Sequence, residues 1–177
     1  MADIFEDLGM VMALAEAHDS GQLFTFGRER CLALAGESVT ESLVALDMAD
    51  YVASLATVAR LAVTKAQEAR APAVYFEYDL DNGWSSNFFI CGTYNARDSD
   101  WASDWQDHVP GPSMPAFAAQ YDSRFGDDPA SQGRTVLLVA RTMAAIVDAT
   151  ASWPEHLILA AAYHDQDQVT TIRRPKL

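Results

Sequence analysis

Histidines next to carboxylates are the residues of this chain that could carry acid–base or metal chemistry. His108 follows Asp107 and could act as a general base, but the sequence places no nucleophile beside it. His164 precedes Asp165 and Asp167, and the three could hold a metal, although their position between two apolar runs favours a turn. No catalytic or nucleotide-binding motif of known spacing occurs in the chain. We therefore expect a protein that is not an enzyme and needs no cofactor or metal.

The acidic run from Asp79 to Gly83 raises the same question about a metal. A calcium loop that began at Asp79 would need an oxygen ligand at its fifth position, glycine at its sixth and glutamate at its twelfth. These positions are Gly83, Trp84 and Ile90. The spacing therefore favours a turn over a calcium site.

The segment from Val74 to Cys91 is predicted to be a β-hairpin whose register follows from its apolar pattern. With Asp81-Asn82-Gly83 as a three-residue loop, apolar residues face one another in the pairs Leu80–Trp84, Phe76–Phe88 and Val74–Ile90. The opposite face then carries Glu77, Asp79, Ser85 and Asn87 together with Tyr75 and Phe89. A shift by one residue mixes acidic and apolar groups on both faces, so the pattern favours the three-residue loop.

Acidic residues dominate the charge of the chain and limit its partners. There are 25 Asp and Glu against 12 Lys and Arg, a net charge of −13. Residues 77–128 alone hold ten carboxylates against two arginines. Such a surface repels phosphate backbones and favours a basic protein partner, although a merely solvated acidic face explains the charge equally well.

Several features of the chain indicate its compartment. No apolar run is long enough to span a membrane, and the N-terminus is acidic where a signal peptide would be basic. The two cysteines, Cys31 and Cys91, are predicted to be buried and reduced. We expect a cytoplasmic protein that contacts neither membrane nor nucleic acid.

The segment from Gly92 to Gly126 is predicted to be irregular, and it contains the near-repeat SDWASDWQ. On a helical turn, Trp101 and Trp105 would lie on one side with Asp100 and Asp104 beside them. Two interpretations stay open: the indoles anchor the segment to the core, or they are contact residues for a partner.

The surrounding elements predict one α+β domain over residues 1–177. We expect helices from Asp3 to Ala17 and from Gln22 to Gly36, and a central helix that begins after Asp128 with Pro129 in its first turn. A second hairpin is predicted from Leu157–Tyr163 and Val169–Ile172. Two hairpins give an antiparallel sheet of about four strands packed against several helices.

One further helix is predicted between the capping box Ser38–Glu41 and Pro72. Apolar residues recur along it at steps of three and four from Val44 to Ala62. The stripe is expected to pack inside the monomer, but it could also join two copies, so a monomer and a dimer both remain possible.

The stretch NGWSSNFFIC, followed by WASDWQDHVPGP, resembles small acidic bacterial immunity proteins that neutralise polymorphic toxins. The resemblance covers residues 74–125 and identifies no functional residue by itself. It implies a cytoplasmic inhibitor that masks the active site of a cognate toxin, for example a basic nuclease.

These observations lead us to expect a non-enzymatic binding protein, of immunity type, with an acidic surface that carries tryptophan. The predicted partner-binding residues are Glu77, Asp79, Asp98, Asp100, Trp101, Asp104, Trp105 and Asp107. The alternative is a small enzyme or ligand-binding protein with a pocket beneath residues 92–126, using His108 and nearby carboxylates.

Overall fold

The structure, a computed structural model, describes residues 3–121, 127–164 and 169–174. Its helices are α1 (Ile4–Glu16), α2 (Ser20–Ala35), α3 (Glu37–Val44), α4 (Ala49–Ala69), α5 (Pro115–Ala118) and α6 (Pro129–Ala149). Its strands are β1 (Ala73–Asp79), β2 (Ser85–Cys91), β3 (Trp105–Pro110), β4 (Ile158–Tyr163) and β5 (Thr170–Arg173), and a 3₁₀ helix spans Ser99–Ser103.

The strands form one sheet in the order β3-β2-β1-β4-β5. Its two hairpins, β1–β2 and β4–β5, are antiparallel, and they meet through the parallel pair β1–β4. The predicted α+β class is confirmed. The sheet has five strands rather than about four, because β3 forms inside the segment that was expected to be irregular, and the parallel central pair makes it mixed rather than antiparallel.

The register of the first hairpin is the predicted one. Val74 pairs with Ile90 and Phe76 with Phe88, and these side chains are fully buried. Gly83 has a φ of 69°, the left-handed conformation expected where a three-residue loop closes. Trp84 is also left-handed, with a φ of 52°, and its buried indole N–H donates to Thr142 Oγ1 of α6 at 2.9 Å.

The predicted helix starts are confirmed at α1 and α6. A carboxylate oxygen of Asp3 accepts the backbone N–H of Phe5 at 3.1 Å, and Asp128 accepts that of Ser131 at 2.9 Å. The helix α2 begins at Ser20, two residues before the prediction, because Asp19 accepts the N–H of Gln22. It ends as predicted before Gly36.

The predicted long helix is wrong in one respect, since it breaks into α3 and α4 with a bend of 52°. The Ser38–Glu41 capping box is also wrong: α3 begins at Glu37, with Gly36 before it and no side-chain cap. Arg141 of α6 explains the break, because its guanidinium donates to the carbonyl oxygens of Leu43 and Leu46, at the end of α3 and just beyond it.

The helices pack on one face of the sheet, which we call the inner face. The apolar stripe of α4 is used there, since Tyr51, Leu55 and Ala62 are buried in the core. The helix α6 lies at the centre, with 14 buried residues, as its sequence predicted. Helix α2 crosses α6 so closely that a Cβ added at Gly27 would lie 2.7 Å from the Cβ of Ala140.

Candidate functional site

The opposite face of the sheet, the outer face, carries a row of aromatic rings that no helix of the main core covers. Strand alternation places Tyr75 of β1, Phe89 of β2 and His108 of β3 in register on this face. Trp105 lies beside them, with its ring centroid 5.3 Å from that of Phe89 and 5.7 Å from that of His108. We call Tyr75, Phe89, Trp105 and His108 the aromatic platform.

Exposure differs across the platform. Tyr75 is buried and Phe89 half-buried, whereas His108 is exposed and Trp105 is 48% exposed. Phe89 links the two ends, because its ring lies 6.0 Å from the ring of Tyr75 and 6.1 Å from that of His108. The exposure of the platform therefore increases from Tyr75 on β1 to Trp105 and His108 on β3. We call these two exposed residues and the strand that carries them the rim.

A carboxylate adjoins the buried end of the platform. Glu77 follows Tyr75 on the same face of β1, and its side chain is 24% exposed. The Tyr75 hydroxyl donates to Glu77 Oε2 at 3.1 Å, and His164 Nδ1 lies 3.3 Å from Oε1. Burial, reinforced by Glu77, raises the pKa of Tyr75 well above its ordinary value, so the hydroxyl stays protonated and donates.

Trp101 and Trp105 separate instead of lying together. Trp101, in the 3₁₀ helix, is 7% exposed and packs edge-on against Tyr94 at 5.1 Å. It belongs to a second apolar cluster on the outer face, with Cys91 and Ile158. The anchoring interpretation therefore applies to Trp101. Trp105 is the indole that stays accessible to a partner.

The two cysteines are free and buried, as predicted. Cys91 lies in the second cluster, where burial raises the pKa of its thiol to about 12. A thiol that stays protonated at neutral pH is a poor nucleophile, so Cys91 contributes packing to the outer face rather than reactivity.

Most of the predicted acidic site residues have intramolecular partners. Asp79 accepts the backbone N–H groups of Asp81 and Asn82 and so shapes the hairpin turn. Asp98 caps the 3₁₀ helix by accepting the N–H of Asp100. These contacts give Asp79 and Asp98 a local structural role, while Asp100 is exposed.

Two further aspartates are held by side chains. Asp104 is exposed and accepts the hydroxyl of Thr93 at 3.3 Å. Asp107 pairs with Lys65 of α4 at 2.5 Å, so its carboxylate reaches toward the helical side of the sheet, away from the platform. The ammonium group of Lys65, and then the backbone N–H of His108, lower the pKa of Asp107.

The open edge of β3 is poorly suited to pairing with another strand. Gly111 donates to Ser86 of β2, and this register leaves the backbone N–H groups of alternate residues, His108 among them, pointing away from β2. The N–H of His108 donates to the carboxylate of Asp107 at 2.8 Å, and Pro110 has none. This edge therefore offers few backbone donors to an added strand, which favours contact through side chains of the outer face.

No described contact provides the catalytic arrangement considered for His108. Its ring contacts are the rings of Phe89 and Trp105. Two cavities, of about 300 and 210 Å³, lie between helices or beside the end of α6, away from β3. No group of three or more His, Cys, Asp or Glu side chains within the described ranges could hold a metal ion, and Asp165 and Asp167 lie outside those ranges.

Comparisons with known proteins give no match to this chain. No family model matches it, and neither do curated proteins or solved structures. No single described helix has the length and composition of a membrane span, although the bent pair α3–α4 meets the same criteria together. The geometry of the outer face is therefore the basis for the function proposed below.

Sequence reasoning missed the part that four residues play in this site, namely Tyr75, Phe89, His108 and His164. It placed Tyr75 and Phe89 on the acidic face of the hairpin but assigned them no role. It missed the position of His108, because β3 was not predicted, and the pairing of His164 with Glu77, because the parallel β1–β4 contact was not predicted either. The signal that was available is the pair Tyr75–Phe89, two large apolar residues on a face predicted to be polar.

Proposed function

We propose that the protein is a non-enzymatic binding module that recognises a basic protein through the outer face of its sheet. The observation that carries the proposal is the half-exposed indole of Trp105 on the aromatic platform, in a chain with a net charge of −13. An indole on a rigid strand offers large contact area at low entropic cost, which is typical of residues that dominate interface energy.

Charge supports a basic partner. Residues 77–128 hold ten carboxylates against two arginines, and the seven from Glu77 to Asp107 belong to the hairpin and to the segments around β3. Their field attracts a basic protein over distances of about a Debye length and raises the association rate. Phosphate backbones are repelled by the same field, which argues against nucleic acid as the ligand.

The specific form that we propose is an immunity-type inhibitor acting in the bacterial cytoplasm, where it masks a cognate toxin such as a basic nuclease. The resemblance in residues 74–125 motivates this form, and all four residues of the platform lie within that range. An inhibitor needs a stable contact surface and no reaction of its own. The platform meets this need, because its residues lie on three paired strands.

The test is co-expression with the protein encoded by the neighbouring gene. We expect the wild-type chain to restore growth to cells that express a toxic neighbour, and to bind it in calorimetry. Trp105→Ala should weaken that binding at least about tenfold. Leu61→Ala is the matched control, since Leu61 is 49% exposed on α4, on the helical side.

Equal binding by wild type and Trp105→Ala, with both proteins folded, contradicts the assignment of the surface. A non-toxic neighbour that does not bind the chain contradicts the immunity form. A deep ligand pocket beneath residues 92–126 would instead favour the enzyme alternative.

A further inference from the structure

We infer that Glu77 is the anchor of the outer face and that it receives the guanidinium group of an arginine side chain from the basic partner. This inference rests on the proposed function and specifies its chemistry: which carboxylate is contacted, and by which cation. The fold leaves few carboxylates of the predicted surface available to a partner, and Glu77 is one of them.

Four of the predicted acidic residues are already engaged. Asp79 and Asp98 accept backbone N–H groups that fix a turn and a helix cap, and Asp104 accepts a threonine hydroxyl. Asp107 is neutralised by Lys65 and directed toward α4. A partner that competed for these groups would disrupt the turn, the cap or the ion pair.

Glu77 is engaged differently, because its contacts orient the carboxylate and use only part of its acceptor capacity. The hydroxyl of Tyr75 approaches one oxygen and the ring nitrogen of His164 approaches the other. A carboxylate has about four lone-pair positions, so each oxygen can accept a second hydrogen bond. Glu77 is thus held in one conformation, and its carboxylate can still accept two hydrogen bonds from the N–H groups of a guanidinium.

The neighbourhood of Glu77 favours arginine over lysine. Glu77 faces Asn87 across the strand pair, and Phe89 is its diagonal neighbour, roughly 7–8 Å away. A guanidinium on Glu77 can therefore lie against a row of rings that begins at Tyr75 and Phe89 and ends at Trp105. Arginine pairs with a carboxylate through two parallel bonds and stacks on rings, whereas the compact, strongly hydrated ammonium of lysine does neither as well.

Partial burial makes this carboxylate more effective than an exposed one. The Glu77 side chain is 24% exposed, whereas Asp100 stands in solvent at the 3₁₀ helix. A charge pair formed near apolar rings is less screened than one formed in water, so an equal loss of charge should matter more at Glu77.

The experiment uses two ten-residue peptides that alternate glycine with arginine or with lysine, titrated into the full chain at low salt and followed by tryptophan fluorescence and calorimetry. We expect the arginine peptide to bind several-fold more tightly than the lysine peptide. Glu77→Gln should weaken the arginine peptide about tenfold and remove the preference over lysine. Asp100→Asn, which removes the same charge from the same acidic stretch, should change binding less than about threefold.

Glu77→Gln is suited to this purpose because its amide oxygen still accepts from Tyr75, and circular dichroism and thermal melting verify that it folds as the wild type does. Equal losses in Glu77→Gln and Asp100→Asn, equal affinity for the two peptides, or no binding of the arginine peptide each overturn the inference. The proposed function is judged separately on the neighbouring protein. If Trp105→Ala weakens that complex and Glu77→Gln does not, the inference fails and the proposed function stands.

Discussion

Trp84 and Trp105 lie on opposite sides of the same sheet, and they differ in burial and in hydrogen bonding. Trp84 is fully buried on the inner side, and its N–H is satisfied by Thr142. Its ring also contacts Phe117 and Tyr121 edge-on. Trp105 is 48% exposed on the outer side and contacts two rings of the platform.

The difference indicates that residues on the inner side of the sheet contribute to stability, whereas residues on the outer side are available for recognition. All the hydrogen bonds and ring contacts of Trp84 are internal, so the free energy it contributes is part of folding. Half of the surface of Trp105 stays in water, and the free energy of removing it from water is available to a partner. We expect substitutions on the inner side to change stability and those on the outer side to change binding.

Substitution of the two tryptophans tests this division most directly. Trp84→Ala should lower the free energy of unfolding by about 3–5 kcal/mol, because it leaves a large cavity and removes the hydrogen bond that the indole donates to Thr142 Oγ1. Trp105→Ala should lower it by about 1 kcal/mol or less while the complex weakens. Urea unfolding curves of both variants measure the effect, and equal losses of stability would contradict the division.

Sequence could predict the hairpin because apolar residues dominate one face of it, with Ser86 as the exception. The period of two along Val74, Phe76, Phe88 and Ile90 fixes the register, and a slip by one residue would bury carboxylates. Helices α1 and α6 were predictable for a similar local reason, since an acidic cap precedes a long apolar stripe. In each case the decisive signal lies within about 20 residues of chain.

Sequence could not predict the features that depend on distant contacts. The break between α3 and α4 depends on Arg141, which binds carbonyl groups nearly 100 residues away. Strand β3 has one buried residue, Val109, so its pattern lacks the alternation that identifies a strand. Its pairing with β2 creates the rim of the platform, so the position of Trp105 and His108 beside Phe89 did not follow from local patterns.

Two tyrosines three residues apart on β1 lie on opposite faces of the sheet and offer a second test of the same division. Tyr78 points to the inner side, fully buried, and its hydroxyl has no hydrogen-bond partner among the described residues. Burial raises the pKa of Tyr78 well above its ordinary value, so the hydroxyl stays neutral. Tyr75 points to the outer side, and its hydroxyl donates to Glu77.

Removing the hydroxyl should therefore have opposite effects at the two positions. Tyr78→Phe should leave the free energy of unfolding unchanged or raise it by about 1 kcal/mol, because a buried unpaired hydroxyl is removed. Tyr75→Phe should lower it by about 1 kcal/mol, since a hydrogen bond to a charged group is lost. Thermal and urea unfolding of both variants decide the matter. A clear loss at Tyr78 would mean that its hydroxyl has a partner after all.

The smallest expected effect lies at the rim, where Asp107 and His108 are adjacent in β3 but point to opposite sides. Asp107 has a lowered pKa because Lys65 and the N–H of His108 favour its charged form. The Lys65–Asp107 contact therefore favours folding above the ordinary pKa of the carboxyl and loses its effect as the pH falls through the lowered one.

Lys65→Met should raise the pKa of Asp107 toward its ordinary value but not fully, because the His108 N–H still donates. Carbon-detected NMR titration of the carboxyl group measures this shift directly, and an unchanged pKa would contradict the assigned cause. Peptide binding to the outer face should change little in Lys65→Met, because Lys65 lies on α4, across the sheet from the platform. A large change in binding would mean that the two faces are coupled through the rim. Residues of β3 would then contribute both to stability and to recognition.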